Sequence, residues 1–345
     1  MKEKGLKEAR FSWIRKKAEK KDLSKRFYYL EPTPVFNAYW LLAAERMEIF
    51  FKRLKEEEAP WTKDTILQEG KFTNSYRVLD RVTQYLIKEI QQKTPKKGKD
   101  ENIEEQVFRT LLFRIFNKIE TWKLLMDNLG EISWKKYNRK KYEDVLTHAL
   151  ERGDTIYSVA YIMPTGGKEY DSKAKHTMHL DLIEQMMKDG VPRQLNKVGM
   201  MKEAFKILKS YDSIGGFLAY QYVTDINYTR VTNFSEMEFV VPGPGAHRGI
   251  EKCFRKHDSI DHTEIIELVT KYQREEFKRM KIDFESLFGR PLQLIDCQNL
   301  FCEIDKYARV AFPEYNTEKS PTKIKQKYKE GKIISHVVLP EKWGM

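Results

Sequence analysis

The sequence predicts an all-α protein. Apolar residues recur at spacings of three and four along most of the chain, sustained period-two alternation is nearly absent, and Pro- and Gly-containing breaks separate the helical stretches. Aromatic residues make up 12% of the 345, enough to furnish a packed core and to exclude global disorder. No apolar run approaches the roughly 18 residues of a membrane span. The basic opening stretch lacks the apolar segment of a secretory signal. Cys253, Cys297 and Cys302 are an odd set without metal-ligand spacing, which predicts reduced thiols in a cytoplasmic compartment.

Taken in order, residues 1–26 form a basic helix or a flexible arm, and Glu31-Pro32-Thr33-Pro34 is a break. The pattern over 35–58 is helical and stops at Pro60, after which Thr62 or Asp64 caps a short helix. Residues 76–92 read as one amphipathic helix, because Leu79, Val82, Leu86 and Ile90 make a single apolar stripe. A polar loop covers 93–102. Helices are expected at 103–117, 121–129, 142–151, 179–189, 197–210 and 214–227. Residues 130–141 are irregular and basic, and Pro164-Thr165-Gly166-Gly167 is a loop. Short extended pieces are expected near 239–241 and 333–339, and no fixed-period repeat is evident.

The formal charge of +12 is uneven, concentrated in the first 26 residues, in 93–99, in 134–141 and in the tail from Lys319. Clusters of this kind suit a phosphate-contacting face or arms, so a polyanionic partner is favoured over a merely soluble basic protein.

The sharpest local signal is Val241-Pro242-Gly243-Pro244-Gly245-Ala246-His247-Arg248-Gly249-Ile250. A helix-hairpin-helix turn needs an apolar residue, then Pro-Gly-x-Gly, then a new helix. Its glycines permit positive φ and close backbone approach, and the N–H groups opening the second helix can bind a DNA phosphate. The bland alternative is an ordinary Gly/Pro loop between helices. On the hairpin reading Gly243, Gly245, His247, Arg248 and Gly249 face DNA. His247 carries little weight, because a lone His is more often structural or exposed.

Other places set polar residues among apolar ones. On a helix, Arg77, Arg81 and Gln84 share a face with Asp80 within reach, and two arginines there could grip a diphosphate or simply join a salt-bridge network. Arg114 and Asn117 lie three apart among core residues; a buried arginine needs a partner, and Asp64, Asp80 or an anionic substrate could supply it. Gln221 and Asp225 sit four apart in an apolar helix behind Gly215-Gly216. Asp296, Asn299, Glu303 and Lys306 point one way if helical, either as a charged solvent face or as the wall of a cleft, the latter being preferred.

Together PWTKD (60–64), KFTNSYRVLDR (71–81), LLFRIFN (111–117), IGGFLAYQYVTD (214–225), VPGPGAHRGI (241–250) and DCQNLFCEIDKY (296–307) resemble the α-glutamyl/putrescinyl thymine pyrophosphorylase family. Its domain is shared with the helical domain of 5-hydroxymethyluracil DNA kinases. The family is regarded as an offshoot of helix-hairpin-helix DNA glycosylases and is found largely in bacteriophages. The resemblance implies a DNA-glycosylase-like helical domain over 35–310, with the hairpin near 239–255. A basic N-terminal arm (1–34) and a basic C-terminal tail (311–345) would flank it.

The implied reaction displaces pyrophosphate from 5-pyrophosphoryloxymethyluracil in DNA with an amine, from an amino acid or putrescine. Arginines and a lysine would stabilise the leaving diphosphate, and a carboxylate would accept the amine's proton. Candidate catalytic residues are Asp296, Glu303, Lys306, Asp80 and Asp225. Candidates for holding substrate or pyrophosphate are Thr62, Asp64, Asn74, Arg77, Arg81, Arg114, Asn117, Gln221 and Asn299, with Trp61 or Tyr76 stacking on a flipped base. No cofactor is certain; a monovalent or divalent cation at the hairpin or the pyrophosphate is the one left open. Expected partners are double-stranded DNA containing modified thymine, a small amine or amino acid, and functionally a 5-hydroxymethyluracil DNA kinase, with no membrane. Localisation would be cytoplasmic, in the host if the gene is a phage's. There is no GxxxxGK[ST] loop, and Thr165-Gly166-Gly167-Lys168 is too short to be one, which disfavours kinase activity in this chain alone. The competing readings are a DNA glycosylase, against which Asp296 lies too far past the hairpin, and a non-catalytic DNA-binding module serving a separate kinase.

Overall fold

Thr33 and Pro34 open the first long helix: the Thr33 hydroxyl accepts the Val35 N–H at 3.2 Å, and Pro34 occupies the first helical position, where a missing N–H costs nothing. The computed structural model describes residues 12–94, 102–159, 163–164, 174–256, 260–316, 321–329 and 336–344. The expectations for 1–11, for 165–168, for much of the 93–102 loop and for parts of the C-terminal tail lie outside the described residues.

In chain order the helices begin with α1 (Trp13–Glu19), α2 (Pro34–Leu54), α3 (Thr65–Glu69), α4 (Arg81–Tyr85) and α5 (Ile103–Phe116). They continue with α6 (Ile119–Leu129), α7 (Arg139–Glu151), α8 (Lys175–Lys188), α9 (Val191–Lys197) and α10 (Met201–Lys209). The last are α11 (Gly216–Ile226), α12 (Pro244–Cys253), α13 (His262–Lys271), α14 (Gln273–Met280) and α15 (Leu294–Ala311). Among the described residues no strand forms; the isolated bridges are Pro32 to Phe254, Gly70 to Lys327 and Leu287 to Arg290. No helix there is long and apolar enough to cross a membrane.

The chain divides into two compact units. The first comprises Met1–Asp80 and Val240–Val337, the second Arg81–Phe239 and Val338–Met345. In the first unit, α2, α12 and α15 surround an aromatic core. Phe36 meets Phe254 at 4.7 Å, Tyr39 meets Phe301 at 4.6 Å and Trp40 meets Phe277 at 4.9 Å between ring centroids. Such contacts add to the burial of large apolar area. The second unit is built on α5, whose Asn102 side chain caps its start and whose Asn117, at φ 49°, closes its end in the left-handed conformation.

Two expectations are corrected here. Residues 76–92 are not one helix. A 3-10 turn (Arg77–Leu79) ends in an extended Asp80 (ψ 138°), short α4 follows, and Leu86–Gln91 is π-helical. At the break the Asp80 backbone is extended, and Asp296 accepts the Arg77 N–H at 2.7 Å; within the wider π turn Gln91 donates to the Asp225 carbonyl at 2.8 Å. The helix expected at 197–210 starts later, as α10, where the Glu203 carboxylate caps the entry by accepting the N–H groups of Gly199 and Met200, both at 3.2 Å.

The hairpin expectation also changes. α12 starts at Pro244 as expected, but the preceding helix ends at Ile226 and the chain is non-helical from there to Gly243. The Asn227 side chain stops α11 by accepting from the Phe234 N–H and the Thr232 hydroxyl, both at 3.0 Å. Neither Gly243 nor Gly245 has positive φ. Gly245 and Gly249 serve instead the close approach of α12 to α15. A Cβ on Gly249 would lie 2.0 Å from the Phe301 carbonyl oxygen, and one on Gly245 would lie 3.1 Å from Cys302 Sγ.

Candidate functional site

In the first unit the KFTN segment (71–74) is gripped from two sides. Arg46, on α2, donates from Nε to the Thr73 carbonyl at 2.9 Å and from a terminal nitrogen to that of Phe72 at 3.3 Å. From α15, Glu303 accepts the Thr73 N–H at 3.0 Å. Lys306 donates to Glu303 at 2.7 Å and to the Lys71 carbonyl at 2.9 Å, its ammonium 4.8 Å from the Phe72 ring centre. Desolvation pulls Arg46 down to about 10, which leaves it charged at neutral pH. Part of the C-terminal tail closes over the same stretch, with Lys71 N–H to the Gln326 carbonyl at 3.0 Å and Tyr328 N–H to that of Glu69 at 2.7 Å.

Next to Arg46 on α2 is a carboxylate that the sequence reading passed over. Glu45 is 6% exposed and accepts the Thr62 hydroxyl at 2.5 Å. Burial raises it above the ordinary carboxyl range, more than the Thr62 bond lowers it, with Glu48 and Asp64 adding to the rise. The signal was present: Glu45 directly follows the apolar run Ala38-Tyr39-Trp40-Leu41-Leu42-Ala43-Ala44 of α2.

The other expected residues of this unit are mostly structural in their geometry. Asp64 is fully buried. One oxygen caps α3 through the Ile66 and Leu67 N–H groups, and the other receives the Ile14 N–H at 3.0 Å, the Tyr307 hydroxyl at 2.7 Å and the Ser12 hydroxyl at 3.1 Å. Asp296 is 4% exposed, with Oδ1 on the Arg77 N–H and Oδ2 on the Gln293 N–H, which is the reach-back of a helix capping box. Asp296→Asn is therefore expected to destabilise the protein rather than leave folding intact, because an amide donor would face a backbone donor, at about 1–3 kcal/mol. A thermal melt equal to the parent's would refute this.

Tyr76 is 1% exposed, stacks on Phe284 and donates to the Arg290 carbonyl, so its ring is not free for a base. Trp61 donates to the Glu57 carbonyl at 2.7 Å with Arg53 over its ring. Asn74 is nearly buried, its side chain accepting the Ser75 N–H at 2.7 Å. Arg77 is buried, Asp80 half-buried, and Asn299 half-exposed on α15. Because the chain turns at Asp80, Arg77 and the exposed Arg81 do not share a helix face, and the diphosphate grip expected of that pair is withdrawn.

In the second unit the buried Arg114 has Asp225 for its partner, not Asp64 or Asp80. Its Nε lies 2.8 Å from one Asp225 oxygen, and a terminal nitrogen donates to the other at 2.9 Å. The remaining donors go to Thr83 and Asn117, both at 2.9 Å. Gln221, one turn before Asp225, is also buried. Asp225 is fully committed as a counter-ion, which argues against its use as an acid or base. Back in the first unit, His247 is exposed with its Nδ1 2.5 Å from that of His262, and Arg248 reaches inward to Asp305. Among the described residues no group of three or more His, Cys, Asp or Glu is placed to hold a metal ion.

These features define an all-helical protein with two compact units and a charged cluster centred on a basic, loop-gripping face of the first. The chain belongs to the family described as the helical domain of 5-hmdU DNA kinase, whose model matches residues 33–317. A 5-hmdU DNA kinase of Bacillus phage SP10 is 23% identical over 306 residues, covering 83% of this chain and 46% of the relative. The chain thus spans about half the length of the curated relative it matches. No solved structure matches significantly.

Proposed function

We propose that the chain acts in thymine hypermodification of DNA, replacing the pyrophosphate of 5-pyrophosphoryloxymethyluracil with an amine. Its family membership supports a place in that chemistry. The observation that carries the reaction type is the neighbouring Glu45 and Arg46 on α2, a carboxylate only 6% exposed and bonded to Thr62, followed by a guanidinium bonded to the Thr73 and Phe72 carbonyls. An incoming ammonium must lose a proton before its nitrogen can attack; Glu45 takes it. As the new C–N bond forms and the C–O bond to diphosphate breaks, negative charge grows on the leaving group, and Arg46 and Lys306 balance it. Glu303 holds Lys306 and the Thr73 backbone in place.

The test is nucleoside mass spectrometry after incubating pyrophosphorylated DNA with candidate amines. An aminomethyl-linked nucleoside from the parent, absent with Glu45→Gln, supports the reading. Free base and abasic sites would replace it with a glycosylase. Phosphate transfer to 5-hydroxymethyluracil only when a kinase is added would replace it with a DNA-binding module beside that kinase.

Glu45→Gln also has a stability signature. A carboxyl raised on folding contributes fully below its ordinary pKa, and that contribution is lost as pH rises through the raised value. Glutamine keeps the acceptor for Thr62 and never ionises. The variant should therefore match the parent in acid and melt higher at neutral pH, by about 2 °C for each kcal/mol in a chain of this size. A melting difference that does not change with pH would show that Glu45 is not desolvated.

A further inference from the structure

Four charged side chains meet where α12 crosses α15 in the first unit. Asp305 is fully buried and Lys252 is 1% exposed. The Lys252 ammonium donates to Asp305 Oδ1 at 2.8 Å and to the Asp305 carbonyl at 3.2 Å. The other carboxylate oxygen, Oδ2, receives Arg309 at 2.6 Å and the Arg248 Nε at 3.2 Å. Burial alone would raise Asp305; the bonds from Lys252 and Arg309 outweigh it and hold the carboxyl below its ordinary range. Arg248 lies one turn before Lys252 on α12, and Arg309 one turn after Asp305 on α15.

The cluster has three cations and one carboxylate. Lys252 already neutralises Asp305 in the interior, so a purely structural account leaves two guanidiniums unexplained. They come from different helices to one oxygen, with side chains 31% and 13% exposed. Arg248 donates only through Nε, so its terminal fork has no acceptor among the described residues. Arg309 has a buried Nε without an acceptor and only a 3.5 Å contact from its second fork nitrogen, to the Lys323 carbonyl. Two like charges held this close repel, and an anion bridging their forks would remove the cost. Guanidinium forks match the oxygens of a phosphate group in both geometry and charge.

We propose that Arg248 and Arg309, positioned by Asp305, form a receptor for a phosphate oxyanion, supplied by the backbone of duplex DNA. The choice of DNA rests on the DNA-acting function proposed above. Free diphosphate offers the same chemistry, so both sources belong in the test. Asp305 is a positioning residue here, and Lys252 keeps it ionised when no ligand is bound.

The experiment is fluorescence anisotropy of a short labelled duplex of unmodified DNA against the full chain over a potassium chloride series. The chain is the parent, Arg248→Gln, Arg309→Gln or the double variant. In parallel, inorganic pyrophosphate is titrated by calorimetry. One phosphate held by both arginines predicts that each single variant lowers the slope of log affinity against log salt by about 0.9, and that the double variant lowers it no further. Arg248→Lys and Arg309→Lys keep the charge and remove the fork; they supply the reading if a glutamine variant fails to fold, and they too should bind less tightly. A folded double variant with parental affinity and slope for DNA, and parental pyrophosphate binding, overturns the proposal. So does a parent that binds neither ligand. A parent that binds pyrophosphate through these arginines but not DNA upholds the oxyanion receptor and sinks the DNA-acting function.

Discussion

Replacing Gly249 with alanine is expected to unfold the first unit, or to lower its stability by more than about 4 kcal/mol, the exceptional end of single substitutions. The added Cβ would stand 2.0 Å from the Phe301 carbonyl oxygen, 2.8 Å from its carbonyl carbon and 3.2 Å from its Cα. These are backbone atoms in the middle of α15, and no rotamer change moves them. The two helices must separate. Separation loosens the buried Lys252–Asp305 pair and the Tyr39–Phe301 contact at 4.6 Å. Overpacking alone costs about 1–3 kcal/mol, and breaking a buried ion pair about 3–5 kcal/mol; together they reach the stated figure. Gly245→Ala should be milder, because its Cβ meets the Cys302 side chain at 3.1 Å. Gly215→Ala, with nothing within 4 Å, should stay within about 0.5 kcal/mol. Circular dichroism melts of the three variants check the order, and a Gly249→Ala melt equal to that of Gly215→Ala would refute the close crossing.

In the second unit, Arg114→Ala is expected to cost about 3–5 kcal/mol. The change strands Asp225, which is fully buried, and also removes the donors to Thr83 and Asn117. The burden is desolvation more than lost attraction. Replacing both partners with apolar residues of similar size, Arg114→Met with Asp225→Leu, should therefore recover most of the loss. Urea unfolding of the two single variants and the double one measures this. A double variant as unstable as the sum of the singles would show that the pair is not coupled.

Much of the fold was legible where burial and periodicity agree. α2, α5, α6, α7, α8 and α11 lie close to their expected spans because each carries an apolar face, and of the two caps expected for α3, Thr62 or Asp64, it is Asp64 that serves. The stripe through Leu79, Val82, Leu86 and Ile90 misled, because side-chain spacing does not report the extended backbone at Asp80 or the wider π turn at Leu86–Gln91. α14 is hard to read, since Gln273-Arg274-Glu275-Glu276-Phe277-Lys278 carries too few apolar residues to show a stripe, whereas α13 was legible from Ile265, Ile266 and Val269 behind the Asp261–Glu264 capping box but was missing from the expected helices. In the site, Glu303 and Lys306 were found from their offset along α15. Asp305 on the same helix was passed over, although Arg248 and Lys252 are four apart on α12 and Asp305 is a lone carboxylate four before Arg309 on α15. Arg114 was read as a buried cation in need of a partner, but choosing among aspartates required knowing which helix crosses α5.

The first unit is made of two stretches of chain with the second unit's sequence between them. That order sets a clock on the ribosome. The apolar side of α2, with Phe36, Tyr39 and Trp40, emerges early, while its packing partners on α12 and α15 are encoded only after residue 239. At about 5–20 residues per second, the wait is on the order of ten to fifty seconds. During that interval the side of α2 that these partners cover has no such cover while the second unit is still being made, so the yield of folded protein is expected to fall when translation of residues 81–239 is slowed.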